Sequence, residues 1–198
     1  MILFLDFDGV THPEPCFHET VFCRLHLIES VLRERELRDV QIVISSSWRE
    51  IHSLDDMREF FSQDMQGRVI GVTPDIWDQA LAPAFVRERE CMAWLTANRP
   101  AGTRWLAIDD RPSFFQPNCP NLFLTDTLQG FQPKQMGALR EKLIASRPEA
   151  AKAHLAAGRA IYYGDPQYPG QIVKEYPDGR RQLVDIDEKS VVTVIREI

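Results

Sequence analysis

The chain has 198 residues, 44% hydrophobic and 26% charged, enough for one ordinary globular core with a small appendage. A formal net charge of -6 and a sequence pI near 5.4 exclude an overall basic field that would hold a nucleic-acid backbone, leaving room only for a local basic groove. No stretch is apolar for long enough to span a bilayer, so no membrane partner is expected.

Ile2-Leu3-Phe4-Leu5 reads as a short buried strand that runs into Asp6-Phe7-Asp8-Gly9-Val10. Two carboxylates one residue apart do not suit a core. The residue between them can stay in the apolar layer while both acids reach the open end of the sheet, where α/β folds bind ligands. Such a pair can hold a hard cation and divide labour between nucleophile and proton carrier. The alternative is a strand that simply closes on a polar Asp-Gly turn.

Phe17, Val21, Leu25, Ile28 and Leu32 then recur at helical spacing, predicting an amphipathic helix that ends in the solvated charge run 33–38. A second buried strand over 40–44 stops at Ser45-Ser46-Ser47. Ser47 to Glu50 fits a capping box opening a short helix, and Ser53 to Asp56 another, ahead of Leu54, Met57, Phe61 and Met65. Residues 68–73 read as a third strand, 87–97 as a helix burying Cys91, Trp94 and Leu95, and 104–108 as a fourth strand ending in Asp109-Asp110. Residues 121–125 make a fifth strand and 134–146 a closing helix. This alternation predicts a three-layer α/β/α sandwich with a five-stranded parallel, Rossmann-like sheet over 1–147.

The alanine-rich stretch 148–160 reads as an exposed helix or a linker. Over 161–198 a small antiparallel β appendage is expected, with strands at 172–176 and 182–186 around a Pro177-Asp178-Gly179 turn and a further strand over 191–198. Its role is expected to be structural or assembly-related. The opening apolar run has no basic flank and soon ends in acids, so no signal peptide is expected. Cys16, Cys23, Cys91 and Cys119 lack Cys-x-x-Cys spacing, which favours reduced thiols in a cytoplasmic protein over metal ligation or disulfides.

In a parallel sheet the carboxyl ends of the first, second and fourth strands share one edge, bringing together Asp6, Asp8, Ser45, Asp109 and Asp110. Arg87 or Arg89 can enter from the helix before the fourth strand. Four carboxylates in one pocket need a cation to offset them, and oxygen-only ligands point to Mg²⁺. A hydroxyl, amides and a guanidinium around it suit phosphate as the guest. Ser46 and Ser47 are further candidate substrate contacts, Ser47 being better explained as a helix cap. His12 is a candidate substrate contact or a loop bystander. Trp48, Trp77, Phe114 and Phe115 are candidates for stacking a base, with core packing the favoured alternative.

These segments, in order, resemble the haloacid-dehalogenase-like (HAD) hydrolase superfamily. LFLDFDGV matches the first motif, IVISSS the second, residues 87–90 loosely the third and LAIDDR the fourth. The Asp109-Asp110-Arg111 run is similar to the 3′-phosphatase domain of phage-type polynucleotide kinase/phosphatases and to related modules attached to RNA-repair proteins. The third motif usually carries Lys, where this chain offers only arginines. The resemblance implies Asp6 as nucleophile forming an aspartyl-phosphate, and Asp8 as proton carrier. It implies Mg²⁺ on Asp6, on Asp8 through its carbonyl, and on one carboxylate of Asp109/Asp110. Ser45, with nearby amides, and Arg87 are implied to hold the phosphoryl oxygens. The gaps 11–17 and between the second and third motifs leave no room for a large cap domain, so a bulky phosphorylated substrate is expected, a nucleic-acid 3′ end or a nucleotide. The alternatives are an open-site phosphatase of phosphoproteins or small metabolites, and a non-catalytic phosphate-binding or assembly module.

Overall fold

The computed structural model describes residues 1–76, 84–145, 154–165, 167–168, 171–186 and 192–198. They divide into two compact units, Met1–Ser146 and Arg147–Ile198.

The first unit is built on five parallel strands: β1 (Ile2–Leu5), β2 (Gln41–Ile44), β3 (Val69–Val72), β4 (Trp105–Asp109) and β5 (Leu122–Leu124), ordered β3-β2-β1-β4-β5. Strand residues alternate between faces, and here both faces are covered. Leu3, Leu5 and Phe7 pack with Leu25, Ile28 and Leu32 of α1 (Leu25–Leu32), Met57 of α2 (Leu54–Arg58), Met65 of α3 (Gln63–Gln66), and Leu139 and Leu143 of α5 (Met136–Ala145). Ile2 and Phe4 pack the other way, against Cys91, Trp94 and Leu95 of α4 (Val86–Asn98). Each fully buried Leu, Ile or Phe contributes about 1.5–3 kcal/mol. The layers therefore hold the strands in place, and the loops at their ends are left to carry chemistry.

Register aligns those ends. Leu5 pairs with Ile44 on one side and Ile108 on the other, so Asp6, Ser45 and Asp109 follow side by side. The ladder extends one bond further, from Ser45 N–H to the Leu5 carbonyl at 2.9 Å and from Asp6 N–H to Ile108 at 3.1 Å. The expected sandwich is observed, with β1 at its centre.

Two local expectations are corrected. The helix expected from Phe17 begins only at Leu25; before it lie a 3₁₀ turn (His18–Thr20) and Phe22 at φ 58°, while Phe17 is 81% exposed. The left-handed Phe22 places its ring against Phe7, Trp48 and Phe60, with centroids 4.6–5.2 Å away. Burying that ring outweighs continuing the helix. The segment 47–50 is a 3₁₀ turn preceded by Ser46, and no serine side chain caps it. The second box is as expected: Ser53 Oγ accepts from Asp56 N–H, and Asp56 accepts from Ser53 N–H.

The second unit is a four-stranded antiparallel sheet, β6 (Ile161–Gly164), β7 (Ile172–Glu175), β8 (Arg181–Ile186) and β9 (Val192–Glu197), in that order. Val173, Leu183 and Val184 are buried, and the buried Glu175 accepts a hydrogen bond from Tyr163 Oη at 2.9 Å. The Pro177-Asp178-Gly179 turn joins β7 to β8, closed by Tyr176 N–H on the Arg180 carbonyl. Strand β6 was not expected, although Ile161-Tyr162-Tyr163 has strong β propensity.

Candidate active site at the carboxyl edge of the sheet

Asp6, Asp109 and Asp110 converge. One carboxylate oxygen from each lies within 4.8 Å of the others, and all three residues are buried. The Asp8 carboxylate is not in this group. It is half-buried and accepts hydrogen bonds from Trp48 Nε1 (3.0 and 3.2 Å), while His12 Nε2 lies 3.0 Å from its Oδ1. One strand ending thus gives its two acids different surroundings.

The backbone that permits this is specific. Gly9 has φ +65°, and a Cβ there would lie 2.4 Å from Asp110 Oδ2, so only glycine lets the first loop pass the second acid pair. The Gly9 carbonyl accepts from Thr125 Oγ1 at 2.8 Å, which ties this loop to the end of β5. Asp109 Oδ1 accepts from Arg111 N–H at 2.8 Å, and Arg111 reaches Asp110 at 3.4 Å and Glu14 at 3.0 Å.

Ser45 and Ser46 are both buried, and the hydroxyl of each makes no hydrogen bond of ordinary geometry among the described residues. Ser46 is near enough to Asp6 to favour its anion all the same. Asp109 Oδ2 and Asp110 Oδ2 likewise accept no hydrogen bond of ordinary geometry, though each lies near an arginine. Buried polar atoms are rarely left so, and this set of carboxylate oxygens and hydroxyls fits a hard cation and an oxyanion together.

Arg87 is the arginine turned inward, buried at 3.6 Å from Asp109 Oδ2 and 3.0 Å from Glu90, whereas Arg89 is exposed. Glu90, 2% exposed, also binds Arg49 at 2.7 Å, so one carboxylate holds two arginines at the cleft wall. Arg49 further donates to the Ser46 carbonyl at 3.0 Å. The cleft encloses about 410 Å³ and is lined by Asp6, Asp8, Asp110, Arg49, Arg87 and Phe114, with Glu14, Glu50 and Asp75 adding acids.

A family model described as the HAD domain in Swiss Army Knife RNA repair proteins matches residues 2–136. The chain belongs to this family. The HAD domain so matched takes in all five parallel strands and ends at the first residue of α5, leaving the C-terminal sheet outside it. No curated protein and no solved structure gives a match. The superfamily is one of phosphatase-type hydrolases. Among the described residues no helix is long and apolar enough to cross a membrane.

The electrostatics of this HAD domain separate its acids. Burial pushes the Asp6 carboxyl up from 3.8 to about 6, against the pull of Arg87. Burial also raises Asp109 well above the carboxylate range, reinforced by Asp6. Asp8 moves the other way, lowered first by the hydrogen bond with His12 and then by Trp48. Burial alone would lower Arg87, but Asp6 and Asp109 outweigh it and the guanidinium is held above its usual value.

Sequence reading missed His12, Trp48, Arg49 and Glu90 as parts of this network. His12 is fully buried, so it is neither a loop bystander nor a substrate contact. Ser47 lines the cleft but is not a cap. Trp48 packs on Phe7 and Phe22 and also binds Asp8, Phe115 is core, and Phe114 lines the cleft 5.9 Å from the Arg87 guanidinium. Trp77 lies outside the described residues. Only the Arg87/Glu90 spacing of three on a helix signalled a pair.

Proposed function

We propose that this chain is a Mg²⁺-dependent phosphomonoesterase working through an aspartyl-phosphate. The observation that carries this reading is the buried convergence of Asp6, Asp109 and Asp110, with Asp8 held apart by its own donors. Asp6, Asp109 and Asp110 with the Asp8 carbonyl would hold the cation, which supplies positive charge against the carboxylates and the phosphoryl oxygens.

Asp6 attacks phosphorus as the bond to the leaving oxygen breaks, and Asp8, whose anion the His12 and Trp48 hydrogen bonds favour at rest, gives that oxygen a proton from its protonated form. A water then attacks the aspartyl-phosphate, Asp8 takes its proton, and the bond from phosphorus to Asp6 breaks to release phosphate. The Ser45 and Ser46 hydroxyls and the Arg87 guanidinium receive the phosphoryl oxygens, supported by the burial of all three and by two hydroxyls that make no hydrogen bond of ordinary geometry. Arg87 is the third-motif group by position, since Arg89 faces solvent.

The substrate is a phosphorylated end, of a nucleic acid 3′ terminus or a nucleotide. The family description supports this, as do the short gaps at 11–17 and between the second and third motifs. The cleft wall mixes Arg49, Arg87 and Arg111 with Glu14, Glu50 and Asp75. That wall suits capture of one phosphoryl group by its end and opposes a polyanion lying along it. Four free thiols are in keeping with action in a reducing, cytoplasmic setting. The test is phosphate release with and without Mg²⁺ across 3′- and 5′-phosphorylated oligonucleotides, nucleotides, phosphopeptides and sugar phosphates. Preference for a 3′-phosphorylated end supports the reading. Equal turnover of phosphopeptides or small sugar phosphates refutes the substrate class, and no Mg²⁺-dependent release from any of them refutes the activity.

A further inference from the structure

The loop that carries Asp8 also buries a histidine beneath it. His12 has no solvent exposure, yet its Nε2 is 3.0 Å from the half-exposed Asp8. Its other nitrogen, Nδ1, accepts from Phe22 N–H at 3.4 Å and lies 3.1 Å from the Thr11 hydroxyl, whose own proton goes to the Phe7 carbonyl at 3.0 Å. That network makes Nδ1 an acceptor and puts the ring proton on Nε2, donated to Asp8. Trp48 Nε1 donates to the same carboxylate from the β2 side.

The imidazole is itself held. Arg24 N–H bonds the Thr11 carbonyl at 2.8 Å, and Phe131 N–H bonds the Val10 carbonyl at 2.7 Å. Gly130, at φ +63°, comes so close that a Cβ would lie 3.0 Å from the His12 backbone. A histidine serving only as core filling could satisfy Nε2 on any nearby carbonyl; this one spends it on an acid that faces the cleft.

Resting on the phosphatase reading above, we propose that His12, with Trp48, is the positioning device for the proton carrier. The pair fixes the Asp8 side chain apart from the three converging acids, where it can serve the leaving oxygen. The substrate class this favours is the unactivated phosphomonoester, whose sugar or alkyl hydroxyl departs only with a delivered proton. An aryl phosphate, with a stable leaving anion, has little need of it.

The test compares glycerol phosphate with p-nitrophenyl phosphate, both with Mg²⁺. In His12→Leu, kcat on glycerol phosphate falls roughly tenfold or more while the aryl ester loses less than about threefold and KM holds. His12→Gln, which can offer an amide N–H where Nε2 stood, restores most of the loss. Trp48→Phe keeps the ring, removes the donor and shifts the alkyl-to-aryl ratio the same way. The Mg²⁺-induced thermal shift of each variant stays as in the wild type. Equal losses on both esters, or a Gln variant no better than Leu, overturn the proposal. If His12→Leu does not fold, Trp48→Phe decides alone, and an unchanged ratio overturns it. A wild type that releases phosphate from neither ester nor from a 3′-phosphorylated oligonucleotide sinks the phosphatase reading itself, and this one with it. Where only the oligonucleotide is turned over, an undiminished kcat on it in His12→Leu or Trp48→Phe sinks only this one, as does an insensitive ratio in a wild type active on both esters.

Discussion

With divalent metal stripped away, lowering the pH from 7.5 towards 5 should stabilise this protein, the reverse of ordinary acid denaturation. Burial raises Asp6 from 3.8 to about 6, so the folded chain retains a proton that the unfolded chain has lost. Wherever the folded state binds more protons, stability falls as pH rises. For Asp6 that window runs from about pH 4 to pH 6, above which the destabilisation is complete. Roughly two pH units at 1.36 kcal/mol each gives on the order of 3 kcal/mol, or about 6–12 °C in Tm for a unit of this size. Asp109, raised for the same reason, acts in the same direction. The depressed Asp8, Asp56 and Asp64 contribute stability that is lost only as pH falls below their unfolded values, outside the window. The assay is a Tm series in chelator between pH 4.5 and 7.5. Wild type should melt several degrees higher near pH 5 than near pH 7.5, Asp6→Asn should lose the Asp6 share of that difference and keep the share due to Asp109, and Mg²⁺ should flatten the wild-type curve by keeping the acids ionised. A chelated wild type whose Tm rises from pH 5 to 7.5, in parallel with Asp6→Asn, would refute the account of the cluster.

Four further outcomes are expected. Asp6→Asn should abolish turnover and any acid-stable phosphoenzyme, whereas Asp8→Asn should slow turnover by on the order of a hundredfold and let labelled intermediate accumulate; label on another residue in Asp6→Asn would contradict the assignment. Asp109→Asn and Asp110→Asn should each lose most of the Mg²⁺-induced rise in Tm, read by thermal shift, and wild-type shifts in both would place the cation elsewhere. Gly9→Ala should cost about 1–2 kcal/mol from its positive φ and also blunt the Mg²⁺ response by displacing Asp110. Gly67→Ala, with nothing within 4 Å of the new Cβ, should leave Tm unchanged or slightly higher.

The strands that carry the site were legible because each is a buried apolar run broken by polar residues: Leu5 before Asp6, Ile44 before Ser45, Ile108 before Asp109. Parallel register then brings those breaks together without further information. What could not be read lies where one side chain's environment comes from distant segments. His12 shows nothing in sequence that separates a loop residue from a buried donor, since its neighbours Phe22 and Trp48 arrive from other elements. The early start assigned to α1 failed because periodicity records which residues are apolar and not which of them a tertiary cluster will claim. Phe22 went to Phe60 and Phe7, and Phe17 to solvent. Arg49 was hidden by the assumption that its turn was a capped helix.

The central place of β1 has a consequence for biosynthesis. Strand β1, which leads into Asp6, is made before the other strands of its sheet, but it pairs only with residues 41–44 and 105–108, far later in the chain. A ribosome-bound fragment reaching β3 can close one side of β1 and would still lack Asp109, Asp110 and the whole α4 layer. The cluster of Asp6, Asp109 and Asp110 is therefore completed late and all at once. Chains interrupted before β4 present an unpaired strand edge with buried-type side chains, the kind of surface that chaperones hold and proteases clear.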